Sequence, residues 1–515
     1  ALDFFNASGR VSGGRESQQD QPGYDWLVSA RVGTLRPLLN LVDPDVGQPG
    51  YTDGYARAGW GDPDGLRITA NLLVSRDELA IAREPRAEQG DIENRARYLW
   101  LRADDTWGPN LRASLMLGQT RMESFREGAS NEPLIALGEV QDRRASRATD
   151  LRGNVVWQWR ANHLLEAGFE LKDEDARYRY AATAVFAPQV AALFNRDAQL
   201  QRDIELNPTR QRGAFFASWR WRMSDSITTE VGGRAQRLLT RGQGTEWISE
   251  PRLGLSWQAL PDTRLQLAWG RFTQIDEIDE LAIEDGVQQL AAPQRSEHLI
   301  AGIEQRLTPE VGLRLEVFRK LQTSPRTRYE NLLDTQSLFP EIAPDRVAIS
   351  LDRAELSGVE LSANYDATAL HVWGTLGWSR SQDRIIAGMW APRSWDQRWM
   401  ASGGAMWTQG RWLFSGQLDV HEGWPRTHLF RDTQGDLQLG PRNGNRLETF
   451  AQLNLRAQYT RPMALGELTF VAQLMNATNW RNECCTELVI VDGELTGRPL
   501  HWLPIIPSLG LRWSF

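Results

Sequence analysis

The chain has 515 residues, 58 basic and 66 acidic side chains, a formal charge of −8 and 41% hydrophobic residues. It contains no run of 18 apolar residues, so no helix of the usual length for crossing a membrane is encoded, and an acidic balance without a basic block argues against nucleic acid as a partner. With 22 Trp and 44 Gly it is too aromatic for disorder, and this composition suits a transmembrane β-barrel, in which only every second residue faces lipid.

Period-two alternation predicts strands over 7–13, 24–33, 51–60, 65–75, 95–104, 111–121, 150–160, 163–172, 213–222, 226–237, 250–258, 263–272, 295–306, 311–320, 354–365, 370–380, 396–408, 411–421, 447–459, 466–475 and 508–515. Most are near the roughly 9–11 residues that cross a bilayer at a tilt. Trp219 and Trp221 alternate with Arg220 and Arg222, and Leu313, Leu315 and Val317 with Arg314 and Glu316. Leu453, Leu455, Ala457 and Tyr459 alternate with Asn454, Arg456 and Gln458. At the C-terminus Leu509, Leu511, Trp513 and Phe515 alternate with Ser508, Gly510, Arg512 and Ser514.

Short turns rich in Gly, Pro, Asp or Asn fall at 61–65, 107–110, 223–226, 260–263 and 308–312. Long polar loops fall at 173–212, 273–294, 321–353, 422–446 and 476–507. Short turns at one end and long loops at the other are the sidedness of an all-β, antiparallel transmembrane barrel. The up-down parity makes 7–13 a descending strand, so one more ascending strand is expected before it. That gives a barrel of about 22 strands, with residues 1–515 forming the barrel domain and its first strand lying upstream.

Several side chains are candidates for chemistry. Cys484 and Cys485 are adjacent in the last long loop. In an oxidising compartment they suit a strained vicinal disulfide. They also suit a soft metal, with His501 in the same loop and His421 and His428 at or in the preceding one. The acidic run 275–286 lacks the spacing of a calcium loop and reads as a solvated loop. Arg220, Arg222, Arg314, Arg456 and Arg512 should line the lumen and pair with carboxylates such as Glu304 and Glu316. Trp near strand ends, among them Trp26, Trp60, Trp100, Trp107, Trp157, Trp159, Trp424, Trp502 and Trp513, suit an interfacial girdle, while a loop Trp could instead stack on a ligand. No Ser, His and carboxylate arrangement and no cofactor motif occurs, so no catalytic residue and no cofactor is assigned.

DWLVSAR at 25–31 and PGYTDGYARAGW at 49–60 resemble the early barrel of TonB-dependent outer-membrane receptors. PQRSEHLIAGIEQRL at 293–307, VGLRLEVFRK at 311–320 and LSGVELSANY at 356–365 resemble its middle, and LTFVAQLMNATN at 468–479 with SLGLRWSF at 508–515 its closing hairpin. The resemblance implies a barrel in the outer membrane of a Gram-negative bacterium, surrounded by lipid. Its external loops would capture a scarce nutrient of siderophore, haem, vitamin or sugar type. Import would be coupled to TonB if a plug with a TonB box precedes this chain. The alternative is a plugless barrel that acts as a passive pore or export conduit, or is gated by a separate partner chain. Leu509, Leu511, Trp513 and Phe515 are similar to the signal read by the barrel-assembly machinery.

Overall fold

A strand whose two faces differ in polarity must pair on both edges, and a ring of such strands leaves no edge open. In the computed structural model, which describes residues 2–3, 5–17, 21–33, 47–62, 64–82, 88–385 and 388–515, the strands form such a ring. Residue 63, inside the expected turn 61–65, lies outside the described residues.

The ring is a closed antiparallel barrel of 22 strands. In chain order they are Leu2–Asp3, Asn6–Arg15, Gly23–Gly33, Gln48–Gly61, Arg67–Ala82, Glu88–Trp107, Leu111–Glu132, Ala136–Arg160, His163–Phe186, Thr209–Arg222 and Ile227–Thr240. Gly244–Leu260, Thr263–Gln274, Gln294–Arg306, Val311–Gln322, Leu351–Asp366, Leu370–Ile385, Trp399–Gln409, Trp412–His421, Phe450–Pro462, Glu467–Met475 and Ile506–Ser514 follow. Gln199–Leu206 and Trp390–Pro392 extend the same sheet at the long-loop end. Every strand expected from alternation is present.

The seam is formed by two residues. Leu2 lies opposite Ala7 on one side and Leu511 on the other, and Asp3 lies opposite Gly510. They stand where parity requires an ascending strand, which corrects the expectation of a first strand upstream: the ring of 22 closes on residues of this chain. The Asp3 carboxylate accepts from the Phe5 and Asn6 amides at 2.8 and 2.7 Å, a side-chain turn of the kind Asp favours.

Four strands are far longer than their lipid-facing alternation predicts. Glu88–Trp107, Leu111–Glu132, Ala136–Arg160 and His163–Phe186 have 20, 22, 25 and 24 residues, about twice what a bilayer needs. Most of the expected loop 173–212 is therefore strand: His163–Phe186, then a short helix Pro188–Leu193, then Gln199–Leu206 and the start of Thr209–Arg222. The cause is a change of phase. Phe169 and Leu171 are apolar and exposed on the outer face, whereas beyond them Ala176, Tyr178, Tyr180, Ala182, Ala184 and Phe186 are buried on the inner face. Lipid rewards the first set and protein packing the second.

The main apolar core lies at the long-loop end. Tyr178, Tyr180 and Phe186 pack there with Val190, Phe194, Ile278, Leu281, Ile283, Phe339, Ile342 and Leu488. Below it the outer face carries an exposed apolar band that includes Leu99, Leu101, Leu115, Leu117 and Phe215.

Lumenal arginines pair as expected in two cases: Arg314 lies 2.6 Å from Glu316 and 3.9 Å from Glu304, and Arg220 lies 2.8 Å from Glu230. At the short-turn end Trp157, Trp159, His163, Trp219 and Trp221 form a chain of ring contacts at 5.3–5.9 Å. Not every candidate girdle Trp belongs there. Trp100 stacks on Tyr55 at 6.2 Å on the inner wall, and Trp424 and Trp502 join the loop cluster.

Candidate functional site

The long loops dock on the inner face of the tall strands because that face was made flat. Gly90 and Gly128 lie directly opposite one another, and a Cβ at either position would overlap the ring of Phe339. Phe339, from the loop between Val311–Gln322 and Leu351–Asp366, is 1% exposed on this seat. Two residues on, buried Glu341 lies 2.6 Å from Arg126 Nη2 and accepts from the Tyr180 hydroxyl at 3.2 Å. Tyr178 donates to the Ile278 carbonyl at 2.6 Å and accepts from the Leu281 amide at 3.2 Å. Two loops are thereby held by two tyrosines of one strand.

The acidic run 275–286 corrects the expectation of a solvated loop. Glu277 meets Lys172 at 3.2 Å and Arg212 at 3.3 Å, Glu284 meets Arg144 at 2.7 Å, and Asp285 meets Arg346 at 2.5 Å. The wall beneath is basic: Lys172, Arg210 and Arg212 surround buried Glu174 at 2.7, 3.0 and 2.9 Å. An excess of buried cations needs carboxylates from elsewhere, and this loop supplies them. Between loop and wall lies a pocket of about 430 Å³, lined in part by Asp77, Asn94, Ser124, Arg126, Arg144 and Glu284.

A second polar knot joins three loops. Asp383, fully buried, is met by Arg328, by Arg393 Nε at 3.0 Å and by Arg442 at 3.7 Å. Glu330 pairs with Arg442 at 2.8 Å and Arg328 at 3.6 Å, and accepts from the Ser394 hydroxyl at 2.9 Å. Three guanidinium groups thus share two carboxylates. Nε and Nη1 of Arg442 are buried with no hydrogen-bond partner. Burial, then the neighbouring Arg393, pushes the Arg328 guanidinium below its ordinary value. Guanidinium donors left over in such a knot suit an incoming anionic oxygen ligand.

Beside the knot stands an aromatic cluster. His421 stacks on Phe450 at 4.7 Å and meets Trp424 at 4.9 Å, and Trp424 contacts Trp395 at 5.1 Å and Trp502 at 6.2 Å. His428 packs on Phe430 instead, and His501 lies opposite Glu483 in the hairpin Glu483–Val491 and Glu494–His501. The three histidines thus have separate surroundings, and among the described residues no group of three or more His, Cys, Asp or Glu is placed to hold a metal ion.

Cys484 and Cys485 are free thiols with Sγ atoms 2.8 Å apart. Successive strand residues normally point to opposite faces; the register shift between Glu483 and Cys485 marks a bulge that brings the two together. They line a narrow cleft with Leu333, Trp395, Trp424 and Arg426. Contact with Cys484, then burial, pushes the Cys485 thiol well above its ordinary value, while the same contact lowers Cys484. At the opposite end Leu509, Leu511, Trp513 and Phe515 are all exposed along the last strand.

The glycine seat, the tyrosine pair and the arginine knot were not found from sequence. The buried alternation from Ala176 to Phe186 was the available signal for the first two. The knot had none, since its members are scattered over 115 positions, from Arg328 to Arg442.

The family model described as TonB dependent receptor-like, beta-barrel, matches residues 5–477. No curated protein matches the chain. Among solved structures, the pyoverdine outer-membrane receptor FpvA from Pseudomonas aeruginosa PAO1 is similar at a TM-score of 0.69 and 11% identity, over 99% of this chain and 77% of that one. The ferric-catecholate import receptor Fiu from E. coli K12 gives 0.68 and 10%, over 100% and 80%. BauA, the ferric preacinetobactin receptor from Acinetobacter baumannii, gives 0.67 and 14%, over 99% and 78%. At such identities the likeness is one of fold.

Proposed function

Because this chain belongs to the TonB-dependent receptor β-barrel family, we propose that it sits in the outer membrane and captures an anionic small-molecule nutrient with its long loops. The observation that carries this reading is the knot of Arg328, Arg393 and Arg442, where three guanidinium groups share two carboxylates and Arg442 keeps free donors. Ferric siderophores are the favoured ligand class, since the similar structures include receptors for ferric preacinetobactin, pyoverdine and ferric catecholates. Trp395, Trp424 and Trp502 beside the knot supply faces on which an aromatic chelator could stack.

Energised import also requires a plug and TonB. All described elements belong to the barrel and its loops, so in this reading a plug is contributed by residues outside these 515 or by another chain.

The test is quenching of tryptophan fluorescence in the purified chain by a panel of ferric siderophores, haem, cobalamin and neutral oligosaccharides. Saturable quenching by at least one anionic chelate, weakened at least tenfold by Arg442→Gln, is expected. Binding of neutral sugars alone, or of none of the panel, would overturn the proposal.

A further inference from the structure

The register of the tall strands places three arginines side by side on the outside of the barrel. Arg97 lies directly opposite Arg121, and Arg121 directly opposite Arg147. Directly opposed like charges destabilise a sheet, so such a row needs a counter-charge. Among the described residues none of the three has an ion pair or a hydrogen bond from its side chain, and all three are exposed. The row continues to Val74 on one side and Asp175 on the other.

The row has a defined height. Two residues below it the same face carries Leu99, Gln119 and Thr149, and two below those it carries Leu101, Leu117, Leu151 and Leu171 in one continuous line. The arginines therefore stand immediately above the apolar band, at the level where lipid headgroups lie. In the row above, Arg76 and Arg95 are already paired with Glu93, so that row adds Arg177 as a further cation.

Some outward arginines on the shorter strands are neutralised within the protein, whereas exposed Arg237 and Arg380 stand singly, without a like charge directly opposite. Arg271 pairs with Glu297 at 3.4 Å and Arg319 with Glu355 at 2.8 Å. The run of three directly opposed arginines lies on the tall strands.

We infer that Arg97, Arg121 and Arg147 form a docking site for a lipid that carries a phosphomonoester headgroup, in the leaflet on the long-loop side. The phosphate bridges the guanidinium groups, which bind it through paired N–H donors, and the acyl chains lie on Leu101, Leu117, Leu151 and Leu171. A free anion would satisfy the charges but leave the leucine line unused, so the adjacency of the two surfaces selects an amphiphile. The site is separate from the loop knot and does not depend on what the loops capture.

The experiment uses the full 515-residue chain in neutral detergent micelles doped with dioleoyl phosphatidic acid, with retained lipid measured by native mass spectrometry. Each arginine near an anionic surface is worth about fivefold in affinity, so the triple variant Arg97→Gln, Arg121→Gln, Arg147→Gln should lose on the order of 100-fold. The double variant Arg271→Gln, Arg319→Gln should bind as the parent does, and equal thermal midpoints establish that both are folded. Unchanged binding in the triple variant would overturn the site. So would equal retention of dioleoylglycerol, which shares the chains but lacks phosphate. Displacement by inorganic phosphate at concentrations equal to the lipid would show a free-anion site and overturn it as well.

Discussion

Arg126 and Glu341 are 215 positions apart in the chain, yet their charged groups lie 2.6 Å apart with Glu341 wholly buried. This pair fastens the loop of residues 323–350 to the inner wall, and removing Glu341 leaves largely buried Arg126 with only Asp142 at 3.2 Å, a carboxylate that Arg144 already shares. Glu341→Ala should therefore cost about 3–5 kcal/mol of loop docking. Hydrogen exchange should rise over residues 328–349 and stay unchanged over 295–306. Equal exchange in both segments would show that the pair fastens nothing.

Phe339 offers an uncharged counterpart. Its ring fills the space that Gly90 and Gly128 leave open, so the seat can be broken from either side. Phe339→Ala should cost about 3–5 kcal/mol as a cavity, and Gly128→Val should expel the ring from the other direction. Limited proteolysis should cut both variants in the 332–345 region well before the parent chain. Parent-like resistance of Gly128→Val would mean that the ring has another resting place.

Asp345 gives the same loop a pH dependence. Burial raises its carboxyl above the ordinary value of 3.8, although it accepts from the Leu333 amide at 2.7 Å and from Asn331 Nδ2 at 3.0 Å. The folded loop thus holds this proton more tightly than the unfolded one. Its stabilising effect is complete below the ordinary value and is lost as pH rises through the elevated one. A spin label at Thr335, on a chain with both cysteines replaced by Ser, should become more mobile across that rise, and Asp345→Asn should flatten the response. Mobility that does not change with pH in the unsubstituted Asp345 chain would refute the assignment.

Cys484 and Cys485 are placed to react with each other. Mild oxidation by a small disulfide should remove two titratable thiols and two hydrogen masses without forming a dimer. Cys484→Ser should leave one thiol that forms a mixed disulfide with the reagent. Dimer formation by the parent chain would show that the bulge does not keep the pair together.

How much was legible in the sequence depended on which solvent each face meets. Leu509, Leu511, Trp513 and Phe515 alternate with small or charged residues because one face meets lipid and the other the lumen, and every such segment could be located. From Ala176 to Phe186 the alternation persists with its phase reversed, because above the bilayer the buried face is the inner one. The lipid-facing pattern itself therefore ends at about Lys172, although the strand runs on to Phe186.

The sequence by itself therefore determined a barrel of about 22 strands, its sidedness and its family, since period-two polarity and turn chemistry are local. Tertiary structure decided the rest. Two residues, Leu2 and Asp3, close the seam; Glu341 finds Arg126; Arg328, Arg393 and Arg442 converge on Asp383; and Arg97, Arg121 and Arg147 fall into one row. Each depends on register or loop docking between distant segments, which local alternation does not encode.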